Sequence, residues 1–219
     1  MEDKVMYLPD HFRETDINEI KRIIQEFPLA TLITSSSKGL AANHLPLLIE
    51  FKDNLPQRLL GHIAIDNPIY EDNNNNDDVL VVYKAEDSYV SPNWYPTKQK
   101  NHKVVPTWNY QSVHFYGKIK FLSDVKSLLK VVGNLTQNHE IRIGESEPWK
   151  IKDAPNDFIK EKLSNIIGIQ IDIIKTMAKS KLSQNRELVD FNSVKTKMLE
   201  KNKKFLYKAM INKTNTQQN

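Results

Sequence analysis

At 219 residues, 39% of them hydrophobic and 26% charged, the chain can bury one substantial core and has the balance of an ordinary globular protein. It contains no cysteine, which excludes disulfides, thiolate zinc sites, iron–sulfur clusters and cysteine nucleophiles. No apolar run approaches the ~20 residues of a membrane helix and no signal peptide opens the chain, so a cytoplasmic protein with no membrane partner is expected.

Residues 7–12 (YLPDHF) form an extended lead-in. Asp16 is placed to cap a helix, with Glu19 at the capping-box position; Ile17, Ile20, Ile24 and Phe27 share a face, and Pro28 stops the helix. Residues 29–34 (LATLIT) and 40–51, joined by SSSKG, read as a hairpin, and Pro46 predicts an edge or a bulge. A third strand spans 58–65, DNPIYED starts a short helix or turn, and the run NNNNDD at 73–78 reads as a loop tip. The apolar run 79–84 (VLVVYK) reads as a buried central strand.

Residues 88–110 (SYVSPNWYPTKQKNHKVVPTWNY) form a loop shaped by Pro92, Pro96 and Pro106. Trp94, Tyr95 and Trp108 beside Lys98, Lys100 and Lys103 suit a planar anion such as a flavin phosphate, or a protein partner; aromatic packing over a barrel end is the ordinary reading. Beyond Pro106, Val113, Phe115, Ile119 and Phe121 alternate with His114, Tyr116, Lys118 and Lys120, the pattern of a long strand with one dry face. Helices are expected over 124–139 and from Pro155 to near Gly168, a last strand over 169–174, and a fraying helix beyond Ser193. Short hairpin-joined strands through residue 122, with helices added later, predict a mostly β fold: a small antiparallel barrel with peripheral helices.

The six glycines are isolated, so no glycine-rich loop can cradle a nucleotide, and neither HExxH nor GxSxG occurs. The scattered histidines argue against a metal site. His44 and His62, on neighbouring predicted strands, could hold a phosphate or a ring edge, or could simply pack in a barrel wall. The stretch KLSQNR gathers Lys181, Gln184, Asn185 and Arg186 after the last strand, where a capped turn is the ordinary reading. Seven lysines and one acid give residues 194–219 a charge of +6, which leaves −2 for the rest of a chain whose net charge is +4. Such a segment either binds nucleic acid or is a solvated helix face.

MYLPDHF, LATLIT, ANHLPLL, GHIAIDNP, SPNWYPTK, VPTWNY, EPWKIKDAPNDFI and KLSQNR, in this order over residues 6–186, resemble the PaiB-type transcriptional regulators, flavin-binding negative regulators. The resemblance implies an FMN-binding split β-barrel over 1–190, with a lysine-rich helical tail over 191–219 left outside it, and a homodimer with FMN at the subunit interface. It places His44, Leu45, His62 and Asn67 on one side of the cofactor, Trp94, Tyr95 and Lys98 closing it, and Lys181 and Gln184 approaching from the last strand. The sequence departs from the pattern at 178–181, which reads AKSK where the family writes GKWK, so Ser180 stands in place of a bulky aromatic expected to pack on the flavin. The implied function is a non-enzymatic negative transcriptional regulator acting on DNA directly or indirectly; the alternative is a small flavin-dependent oxidoreductase, since one fold hosts both.

Overall fold

The computed structural model describes residues 6–216, so the first five residues of the expected barrel and the last three of the expected tail lie outside the described residues. A 3-10 turn, Asp10–Phe12, precedes helix α1, Ile17–Glu26, whose first turn is capped by the Asp16 carboxylate accepting from the Asn18 amide at 2.9 Å. Strands β1, Leu29–Ser36, and β2, Gly39–Pro46, form the expected hairpin, paired from Leu29 opposite Pro46 to Ser36 opposite Gly39.

The second strand does not run on to residue 51. Pro46 ends β2, Leu47 is buried, and β3, Leu48–Lys52, pairs instead with β4, Leu55–Ala64. A proline has no amide to give a ladder, so it stands where the chain changes partner. Gly61 in β4 permits this crossing, because a Cβ there would lie 2.4 Å from Leu47 Cδ2 and 3.2 Å from the Pro46 carbonyl oxygen.

Asn67 caps helix α2, Pro68–Asp72, and β5, Asp78–Val90, follows. The asparagine run between them is more than a loop tip. Asn76, at φ +74°, donates its amide to the Ile119 carbonyl at 2.8 Å, and Asn75 Oδ1 accepts from the Phe121 amide at 2.8 Å. A 3-10 turn, Pro92–Trp94, and the short helix α3, Lys98–Asn101, occupy the proline-rich loop, which leads into β6, Thr107–Leu122. Helix α4, Val125–Ile143, is capped by Asp124 and ends at Gly144, and α5, Asn156–Ser164, precedes β7, Ile166–Lys181. Gly168 thus lies inside a strand and does not end a helix; a Cβ there would meet Leu122 and Leu128 at 3.1–3.3 Å, so the glycine lets α4 sit close. Helices α6, Leu188–Glu200, and α7, Lys204–Thr216, complete the described chain. No described helix is long and apolar enough to cross a membrane.

The strand order is β2-β1-β5-β6-β7-β4-β3, antiparallel in the registered pairs. The chain divides into two compact units, and β5, β6 and β7 each contribute residues to both. The unit made of 28–83 and 114–176 has a core of Leu32, Leu59, Val81, Tyr83, Phe115, Ile119, Ile169 and Ile171, in which the Tyr83 hydroxyl donates to the Leu47 carbonyl at 3.1 Å. On its outside α4 packs Val131 and Leu135 against Leu60.

The other unit, residues 1–27, 84–113 and 177–219, holds α1, α6 and α7, and the last two helices build most of a second cluster: Val90, Tyr95, Leu182, Phe191, Val194, Met198, Leu206, Ala209 and Met210. Among the described residues the lysine-rich end forms two helices, where its composition suggested fraying. At about 1.5–3 kcal/mol for each large side chain fully buried, Phe191, Met198, Leu206 and Met210 outweigh repulsion among lysines that remain in water.

Candidate functional site

Lys181 is the last residue of β7, and the chain turns sharply behind it. Ser183 has φ +63° and donates its hydroxyl to Asn109 Oδ1 at 2.9 Å. Gln184 locks the turn from inside: its Oε1 accepts from the Leu182 amide at 2.7 Å, and its Nε2 donates to the carbonyls of Ser180 at 2.5 Å and His11 at 3.0 Å. The Arg186 amide closes back on the Ser183 carbonyl at 3.0 Å, and its guanidinium lies over the Tyr95 ring at 4.8 Å. Lys181 Nζ donates to Thr107 Oγ1 and to the Trp108 carbonyl, the latter at 2.7 Å. A cleft of about 130 Å³ opens here, lined by Phe12, Thr107, Asn109, Lys181, Ser183, Asn185 and Arg186.

The electrostatics of this cleft are one-sided. Burial pushes the Lys181 ammonium below the usual lysine range, and the neighbouring charges of Lys179 and Arg186 push it further the same way. Lys179 donates to the Tyr7 carbonyl at 3.1 Å and lies near the Tyr7 and Tyr110 rings. Among the described residues no carboxylate forms an ion pair with Lys179, Lys181 or Arg186. Partly desolvated like charges raise the free energy of the empty cleft, and a bound anion relieves it.

Ser180, beside this cleft in sequence, faces away from it. Its hydroxyl, fully buried, donates to Glu14 Oε2 at 2.6 Å and accepts from Gln111 Nε2 at 2.7 Å. The expected stacking position is therefore filled by a polar network, and a bulky aromatic there would displace Glu14 or Gln111.

The residues assigned by resemblance fall into both units. In the barrel unit, His44 is exposed on β2, opposite Thr31, whose hydroxyl lies 3.1 Å from His44 Nδ1. Leu45 pairs with the buried Ala30 and faces the core. His62 pairs with Gly168 in β4, on the face that α4 covers, and burial lowers its pKa; its Nδ1 is buried with no described partner. His44 and His62 thus lie in different surroundings, with no hydrogen bond between them. Asn67 spends both ends of its amide, accepting from the Ile69 amide at 3.0 Å and donating to Asn43 Oδ1 at 3.1 Å.

In the other unit, Tyr95 is 2% exposed and is a core residue, while Trp94 packs against the same cluster. Thr97 fastens the loop to α6 through its amide and hydroxyl, both donated to the Asp190 carboxylate at 3.0 and 2.6 Å. Lys98 folds back on Asn93 Oδ1 at 2.5 Å. Of Trp94, Tyr95 and Trp108, only Trp108 is exposed, at 52%, and it lies edge-to-face with Tyr89 at 5.9 Å. Sequence reading missed Phe12, Thr107, Asn109 and Ser183 as cleft residues. VPTWNY and KLSQNR were both visible as motifs, but not that Lys181 joins them.

Strand order and peripheral helices are those of a split β-barrel. The fold is shared with a conserved hypothetical protein from Mycobacterium tuberculosis (TM-score 0.57, 10% identity, 83% of this chain and 94% of that one). It is shared also with the flavocytochrome Anf3 from Azotobacter vinelandii (TM-score 0.57, 14% identity, 82% and 74%). The chain belongs to the family described as "Putative FMN-binding domain", whose model matches residues 6–175, and its cofactor is accordingly FMN. The "Protease synthase and sporulation protein PAI 2" of Bacillus subtilis, a PaiB protein, is 33% identical over 189 residues, covering 86% of this chain and 87% of the relative. The PaiB-type resemblance read from the motifs is thereby borne out.

Proposed function

We propose that the protein is a PaiB-like, FMN-binding negative transcriptional regulator of the cytoplasm, acting as a homodimer, and that the cleft behind β7 receives the FMN phosphate. The observation that carries the binding site is the cluster of Lys179, Lys181 and Arg186 with no described carboxylate partner. A cleft of about 130 Å³ suits a phosphate and not a three-ring isoalloxazine. Lys181 and Arg186 would hold the dianion, with Asn185 and the Ser183 hydroxyl beside them. Two residues assigned by resemblance then act from behind: Tyr95 supports the Arg186 guanidinium, and Gln184 fixes the turn. FMN, when bound, supplies hydride and one-electron chemistry from its own ring system. Of the other residues assigned by resemblance, Trp94 and Lys98, in the same unit as the cleft, are proposed as its wider surroundings, while His44, Leu45, His62 and Asn67 of the barrel unit keep only the flavin assignment that the resemblance gives them. Exposed Trp108 and Tyr89 support a dimer contact, because paired aromatics left in water commonly mark an interface.

The test compares FMN with riboflavin, which lacks the phosphate, by flavin fluorescence titration. FMN is expected to bind at least tenfold more tightly, and Arg186→Ala should narrow that difference. Equal affinities would overturn the phosphate assignment. Turnover of a reduced nicotinamide by the FMN-loaded protein would select the alternative, a small flavin-dependent oxidoreductase.

A further inference from the structure

Helices α6 and α7 and the turn between them lie beyond residue 175, where the family match ends, and together carry the seven lysines between positions 195 and 213. Three of these are neutralised: Lys197 pairs with Glu200 at 2.6 Å, Lys203 with Glu86 at 3.8 Å and Lys213 with Glu14 at 2.7 Å. Lys195 lies against the Phe191 ring. Lys201, Lys204 and Lys208 remain, all exposed, with no carboxylate partner among the described residues. Lys204 and Lys208 stand one helical turn apart, roughly 6 Å along the axis, and Lys201 precedes them in the three-residue turn where Asn202 adopts φ +57°.

The helix that presents them is held firmly. Leu206, Ala209 and Met210 are at most 1% exposed, and Phe205 sits between the Arg22 guanidinium at 3.6 Å and the Phe27 ring at 4.7 Å. Glu86 accepts from the Phe205 and Leu206 amides at 3.1 and 3.2 Å, so the helix start is satisfied internally. Lys204, Lys208 and Asn212 line the outer face with no large apolar side chain among them, which disfavours insertion into a lipid surface. Asn212 is engaged with Glu19.

We propose that this face, Lys201, Lys204 and Lys208, binds the phosphate backbone of double-stranded DNA without reading sequence. The inference deepens the regulator reading above and rests on it. Fixing three cations on a docked helix before binding lowers the ordering cost, and each neutralised phosphate releases counterions.

The experiment uses the full chain, with and without FMN, and a fluorescein-labelled 20-bp duplex followed by anisotropy between 50 and 200 mM KCl. Replacing all three residues (K201Q, K204Q, K208Q together) should reduce the log–log salt slope by about 2–3 and weaken binding at 50 mM at least tenfold. FMN affinity should stay unchanged, because none of the three lines the cleft, and that readout also reports that the variant is folded. No duplex binding by the wild type at 50 mM KCl overturns the proposal. An unchanged slope in the variant overturns this surface while leaving a regulator that contacts DNA elsewhere. Binding of polyglutamate as tight as that of the duplex, with the same slope, overturns DNA in favour of an acidic protein partner. Loss of FMN binding in the wild type would instead strike the flavin reading alone.

Discussion

Two sets of cations are gathered in the same unit, and they are treated in opposite ways. Arg22 and Lys213 are matched: Arg22 grips the Glu19 carboxylate at 2.8 and 2.6 Å, and Lys213 meets Glu14 at 2.7 Å. Gln111 and Ser180 then tie the two carboxylates together, Gln111 donating to Glu19 at 2.7 Å. Lys179, Lys181 and Arg186 have only carbonyls, hydroxyls and aromatic faces. A matched buried set fixes one arrangement of α1, β6, β7 and α7. An unmatched set is held in place by the same fold, at some cost, and that cost is the ground for the anion proposed there.

The sharpest way to break the comparison is to remove an acid from the matched set. Glu14→Ala takes away the acceptor of the Ser180 hydroxyl, of the Thr15 and Asp16 amides and of Lys213. Destabilisation of about 3–5 kcal/mol is expected in urea unfolding, as for a buried charge pair deprived of one partner. A loss below about 1 kcal/mol would mean that the network is looser than its hydrogen bonds suggest.

In the unmatched set the equivalent change should hardly touch folding. Lys181→Ala is expected to weaken FMN binding by roughly 1.5–3 kcal/mol, the worth of a charge-assisted hydrogen bond, with an unchanged or slightly higher unfolding midpoint for the flavin-free protein. A large fall in that midpoint, with FMN affinity preserved, would make Lys181 a structural residue and remove the contrast.

Much of the barrel was legible because its signals are local. The Asp16 cap, the hairpin across SSSKG and the alternation along β6 each need only neighbours in sequence. The exchange of partner at Leu47 was not legible, because it depends on the missing Cβ of Gly61 meeting Pro46 across the fold. Gly168 misled for the same reason: a glycine that lets α4 approach looks in sequence like one that ends a helix. At the site, the residue types in KLSQNR announced cations, but alternation at the end of β7 could not say that Ser180 and Lys181 point into such different company. The burial of Tyr95 was not legible either. Counting aromatics in a loop does not distinguish a ring under Arg186 from one in water.

The smallest expected effect separates the two sets by pH. Burial raises the Glu19 carboxyl, but hydrogen bonds from Arg22 and Gln111 and the Arg22 charge more than offset this and hold it below the usual range. Its contribution to stability is therefore complete above the unfolded-state value and is lost as pH falls through the lower folded-state value. Lys181 is also lowered, but it is a base, so between its folded and unfolded values only the unfolded chain carries the proton. Flavin-free protein should thus gain stability as pH rises through that alkaline window, and Lys181→Met should abolish the gain. Saturating FMN should abolish it too, since a phosphate dianion favours the protonated lysine. Glu19→Gln should instead remove part of the acid-side loss and leave the alkaline side alone. Unfolding midpoints of the three proteins across pH, with and without FMN, would check this. An alkaline gain that persists in Lys181→Met would place its origin in another group.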